Sequence, residues 1–73
     1  MSIMLPEIDF EKIGQRVKQA RIDIGYTQAE LGEIIGCSNN HMSHIETGQT
    51  KVSLSLLLKL SYALDTDLNF FLM

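Results

Sequence analysis

Three glycines, Gly25, Gly36 and Gly48, divide the middle of the chain, and a hydroxyl residue follows each within a few positions: Thr27, Ser38 and Ser53. Glycine ends a helix readily because it enters the left-handed region without a Cβ penalty. Serine and threonine start a helix by accepting a hydrogen bond from an amide of its first turn. Such punctuation restricts the chain to short helices joined by tight turns, and no period-two alternation runs long enough for a strand. The expectation is an all-α compact bundle of four to five short helices. A chain of 73 residues makes one domain, with a folded core over about 9–72 and residues 1–8 as a loosely packed arm. A domain this small is marginal alone, so it packs efficiently or borrows stability from a second copy.

Hydrophobic spacing fills in the helices. The first is predicted from Asp9 to Ile24, with Phe10, Ile13, Val17, Ala20 and Ile24 in register. The second opens with Thr27-Gln28-Ala29-Glu30, a capping box, and buries Leu31, Ile34 and Ile35 before stopping at Gly36. The third runs from the N-cap Ser38 to about Thr47. The fourth starts at Ser53 and ends near Leu64, with Leu54, Leu57, Leu58, Ser61 and Leu64 as its stripe; Leu56 and Leu60 make that stripe wider than one core needs. A last short helix starts at Thr66 or Asp67 and carries Leu68, Phe70, Phe71, Leu72 and Met73.

The third helix is the unusual one. Only Met42 and Ile45 are apolar, while Asn39, Asn40, His41, Ser43 and His44 are polar, so a wide polar face is offered to something. Gly36-Cys37-Ser38 joins it tightly to the second helix, a helix–turn–helix arrangement, with small Gly32 where the two must approach. The net charge of −3 argues against nucleic acid, but its distribution does not. Residues 34–64 hold one acid, Glu46, beside Lys51, Lys59 and both histidines. Asparagine can pair bidentately with adenine in the major groove, and histidine and serine can donate to purine N7 or guanine O6. Successive turns put Asn40 and His44 on one face. Gln28, in the first turn of the second helix, suits a phosphate oxygen.

These features together resemble the lambda-repressor/Cro-like helix-turn-helix family, also called XRE. The resemblance spans roughly residues 10–72. It rests on Gly14-x-Arg16-x₄-Arg21, Gly25-Tyr26-Thr27-Gln28-x₂-Leu31, Ile35-Gly36-Cys37-Ser38, Ser43-x-Ile45-Glu46-x-Gly48 and Leu54-x₂-Leu57-x₂-Leu60-x₂-Ala63-Leu64. It implies a sequence-specific double-stranded DNA-binding regulator, expected to be a cytoplasmic repressor reading an inverted repeat as a homodimer. Asn39, Asn40, His41 and His44 then fall at base-reading positions. Gln28, Ser38, Ser43, Thr50 and Lys51 fall against the DNA backbone. Arg21 and Glu46 match a partly buried ion pair, and Leu68, Phe70, Phe71 and Leu72 match a dimer seam. The chain departs from the pattern in two places. Val52 and Ser53 stand where some relatives carry a minor-groove cation, and Gly32 replaces the usual alanine at about 1 kcal/mol of helix propensity.

Other readings are weaker. The alternative is a protein-interaction module, or the antitoxin of a toxin–antitoxin pair. Cys37-x₃-His41-x₂-His44 offers three metal ligands and no fourth, so neither metal nor cofactor is expected. No glycine-rich phosphate loop, nucleophile–base set or paired carboxylates support an enzyme. A single cysteine suits a reducing cytosol. The N-terminus has no signal-peptide pattern, and no apolar run is long enough for a membrane span.

Overall fold

In a computed structural model that describes residues 7–73, five helices follow one another: α1 (Phe10–Ile24), α2 (Gln28–Ile35), α3 (Asn39–Thr47), α4 (Leu54–Ala63) and α5 (Leu68–Leu72). There is no strand among the described residues. Of the expected N-terminal arm, Glu7 and Ile8 are exposed and non-helical, and residues 1–6 lie outside the described range.

The caps act where the sequence points. Asp9 accepts from the Lys12 amide, Ser38 from His41, Ser53 from Leu56 and Asp67 from Phe70. At α2 both halves of the capping box are made: the Glu30 amide donates to Thr27 Oγ1 at 3.0 Å, and the Thr27 amide donates to Glu30 Oε1 at 2.9 Å. The Thr27 amide, and then its hydroxyl, hold the Glu30 carboxyl below its ordinary range. Gly25, Gly36 and Gly48 end α1, α2 and α3 with φ of 101°, 81° and 78°. The α4 helix ends without glycine, and Asp65 takes the left-handed conformation there (φ 51°), as a short polar side chain tolerates.

The α1 helix lies along α3 and touches α5, while α2 packs on α3 and α4. Val17, Leu31, Met42, Ile45, Leu60 and Phe71 are wholly enclosed between them. Glycine makes two of these approaches close. A Cβ on Gly14 would meet the Ile45 carbonyl oxygen and would lie 2.7 Å from the Glu46 carbonyl oxygen. One on Gly32 would lie 2.6 Å from the Cys37 carbonyl oxygen and 3.3 Å from Met42 Cγ. Gly32 is thus fitted to the backbone of the turn, which offsets its poor helix propensity.

Several predicted core positions are corrected. Ile24 and Ile34 are exposed: Ile24 is the last residue of α1, and Ile34 lies off the face of α2 that Leu31, Gly32 and Ile35 turn inward. In α4 the stripe is rotated. Leu57, Leu60, Ser61 and Leu64 face inward, and Leu58 and Leu54 face out, Leu54 at 70% exposure. Leucines at 54, 56, 57, 58 and 60 leave the phase of an amphipathic helix undetermined, and only packing on α2 and α5 selects it. The buried Ser61 hydroxyl donates to the Leu58 carbonyl at 2.6 Å and so carries no unmet polar group into the core. Phe71, grouped by sequence with the seam residues, is completely buried within the chain and belongs to the core. Its ring stacks edge-on against Phe70, with centroids 5.5 Å apart.

Candidate nucleic-acid interface

The α3 helix is held by three consecutive constraints. Met42 and Ile45 are buried. The Glu46 carboxylate, with its side chain 1% exposed, is gripped by Arg21 from α1 and Gln28 from α2. Gly48 lets the C-terminal end of α3 lie directly on Glu11 of α1, where no Cβ would fit. With positions 42, 45 and 46 inward, the helical repeat of 100° per residue turns Asn40, His44 and Thr47 directly outward, flanked by Ser43 and His41.

The Arg21–Glu46 pair is bidentate: Arg21 Nε donates to Glu46 Oε2 at 2.7 Å and Arg21 Nη2 to Glu46 Oε1 at 3.0 Å. Arg21 Nη1 donates to the Tyr26 carbonyl at 2.8 Å, which fastens the turn into α2. Gln28 Nε2 donates to Glu46 Oε1 at 3.1 Å. One of the two amide hydrogens of Gln28 is therefore spent inside the protein, and the other, with the amide oxygen, remains for a ligand. Glu46 thus gathers α1, α2 and α3 at one point. Its charge is neutralised by Arg21, so the outward face of α3 carries no free acid.

The sequence-derived residues divide as follows. Ser38, Asn39 and Asn40 are exposed, and His41, Ser43 and His44 are half-buried, all on the same helix or its cap. Among the described residues, the side chains of Asn39, Asn40, His41 and His44 enter no hydrogen bond. The Ser38 oxygen accepts from the His41 amide, which leaves its hydrogen free. Lys51 is exposed and Thr50 half-buried in the segment between α3 and α4. Leu68 is half-buried, and Phe70 and Leu72 are exposed. Cys37 is half-buried, and that burial pushes its thiol up, away from the reactive thiolate. Among the described residues no three His, Cys, Asp or Glu side chains gather as metal ligands, and no helix is long and apolar enough to cross a membrane.

Three contributions escape sequence reasoning. The Gln28–Glu46 bond joins residues 18 apart and has no local signal. Arg16, part of the quoted motif, has a structural role: its Nη1 donates to the Phe70 carbonyl at 2.6 Å and its guanidinium lies 5.9 Å from the centre of the Phe70 ring. It ties α5 to α1. Thr47 shares the outward stripe with Asn40 and His44, and the helical repeat extended two turns was the signal that could have found it.

The family model described as helix-turn-helix matches residues 17–71. The chain is 41% identical over 58 residues to the HTH-type transcriptional regulator SinR of Bacillus subtilis (strain 168), a match that covers 78% of this chain and 52% of that protein. It therefore spans about half the length of the curated relatives it matches. Among solved structures, the restriction-modification controller protein C.AhdI from Aeromonas hydrophila superposes with a TM-score of 0.81 at 35% identity, covering 86% of this chain and 96% of that one. The biofilm master regulator SinR in complex with DNA superposes at 0.77 with 40% identity, covering 84% of this chain and 98% of that one. Fold, turn geometry and these likenesses agree, and the chain belongs to the lambda-repressor-like (XRE) helix-turn-helix family.

Proposed function

We propose that this chain binds double-stranded DNA sequence-specifically, with α3 in the major groove, and represses transcription as a homodimer. The observation that carries this reading is the outward stripe of α3. It is polar, without hydrogen-bond partners in its N-terminal half, free of negative charge, and anchored from behind by the Arg21–Glu46–Gln28 junction. Asn39, Asn40, His41 and His44 are the base-reading candidates. Gln28, Ser38, Ser43, Thr50 and Lys51 are the backbone candidates.

The seam between copies is read as an α4–α5 face. Leu54, Leu58 and Tyr62 repeat every four residues along α4 and are exposed, Tyr62 at 80%. Leu54 shares a hollow with Leu72, and Leu58 shares one with Leu68. An apolar face of this kind is a recognised mark of an interaction surface. It is also the observation that favours the second reading, a protein-interaction module that docks a partner there and does not use DNA. Salt separates the two. Binding through phosphates weakens steeply as salt rises, and binding through apolar contact does not.

The test is selection of this chain against a random duplex pool at moderate salt. Enrichment of an inverted repeat with half-site centres about 10 bp apart is expected. No enrichment by a folded protein would overturn the reading. Within an operator so found, Asn40→Ala should relax the preference at one position of each half-site and cost about 1–3 kcal/mol. Unchanged preference at every position would remove Asn40 from the base-reading set. Lys51→Ala should weaken binding to all sequences and reduce the slope of log K against log salt by roughly one. A loss confined to particular sequences would count against its backbone role.

A further inference from the structure

We propose that Thr47 is a further specificity-determining residue, reading the 5-methyl group of a thymine with its own methyl. The inference rests on the DNA-binding reading of α3 and extends it to a residue that has no role there. Thr47 lies seven residues beyond Asn40. Seven residues rotate an α-helix to within about 20° of where it started, so the two side chains share a face, with His44 between them. The axial separation is about 10 Å at 1.5 Å per residue, close to three base-pair steps.

The hydroxyl decides what Thr47 can offer. Its Oγ1 donates to the Ser43 carbonyl at 3.0 Å and lies 3.4 Å from the His44 carbonyl. A hydroxyl has one hydrogen, and here it is returned to the helix backbone. A phosphate oxygen only accepts, so Thr47 has nothing to give it while that bond stands. The groups left are a methyl and oxygen lone pairs. The major groove presents a matching methyl on thymine alone among the four bases. The position is also rigid. Gly48 donates to the carbonyls of Ile45 and His44 and is pressed on Glu11, so the last turn of α3 cannot swing away from its course.

The test uses the operator enriched by the unaltered chain, with each thymine in turn replaced by deoxyuridine, which lacks only the methyl. One such replacement in each half-site is expected to weaken binding by roughly fourfold, the factor for one methyl group removed from apolar contact. Thr47→Val keeps the methyl, loses the hydroxyl, and should show the same sensitivity. Thr47→Ser keeps the hydroxyl, loses the methyl, and should bind thymine and uracil duplexes equally. Three results would overturn the proposal: no sensitive thymine, the same sensitivity in Thr47→Ser, or a Thr47→Val variant weakened equally on thymine and uracil duplexes, as a lost hydroxyl contact to a phosphate requires. Failure of the unaltered chain to enrich any operator would remove the underlying DNA-binding reading instead, and with it this one.

Discussion

Gly14→Ala is expected to lower the melting temperature by on the order of 15 °C. The added Cβ would enter the space of the Ile45 and Glu46 carbonyls, 2.7 Å from the Glu46 oxygen. Backbone cannot turn aside as a side chain can. Ile45 and Glu46 are both buried, and the next turn is held on Glu11 through Gly48. Either α1 and α3 separate, which opens the core around Val17 and Met42, or the last turn of α3 unwinds. Overpacking of an enclosed site costs about 1–3 kcal/mol and sometimes more. A value near 3 corresponds to about 12–24 °C in a domain of this size. Gly25→Ala is the control. Its Cβ would meet nothing within 4 Å, but φ is 101°, so it carries conformational strain without collision and should cost about 1 kcal/mol. Thermal melts of both variants check the ordering. Equal losses would mean that α1 and α3 are not in the contact described.

Arg21→Met is expected to cost about 3–5 kcal/mol, because it leaves the buried Glu46 carboxylate with only the Gln28 amide beside it. The loss is that of an uncompensated charge, not of a favourable pair. The double variant Arg21→Met/Glu46→Met should accordingly recover much of the stability, since apolar replacement of a buried pair is often neutral. Urea unfolding of the two single variants and the double variant checks this. A double variant no more stable than Arg21→Met would overturn this account, and losses that simply added would show that the two residues are not coupled. Arg21→Lys should not restore the native value, because an ammonium cannot reproduce the two parallel bonds to Glu46 or reach Tyr26 at the same time. In the double variant, DNA affinity should remain below that of the unaltered chain even where stability returns. Glu46 is the point at which α1, α2 and α3 meet, and apolar side chains there set no angle.

Helix number, order and ends were legible in the sequence because they depend on neighbours a few positions apart. Each cap is a side chain accepting from an amide three residues on, and each glycine stop is a single residue's own φ. The polar stripe of α3 was equally legible, since the 3.6-residue repeat and two buried apolar anchors suffice to orient it. Reading failed where several solutions satisfied the same local pattern. Five leucines in α4 fit more than one helical phase, and their spacing marks Leu58 as core and Leu60 as surplus, the reverse of the packing. At the C-terminus, Phe70 and Phe71 are adjacent and chemically alike, yet one is exposed and the other enclosed.

The sequence by itself therefore determined the all-α class, the turn between α2 and α3, and the polar residues that α3 turns outward. Local hydrogen bonds and rotation per residue act within one or two turns, and they are complete in the chain's own order. Only the tertiary structure decided which leucines and which phenylalanine form the core, that Gly14 must lack a side chain, and that Gln28 bonds Glu46. Those outcomes depend on atoms 18 to more than 30 positions apart brought within bonding or collision distance. No periodicity encodes such a distance, because it exists only once the helices have packed.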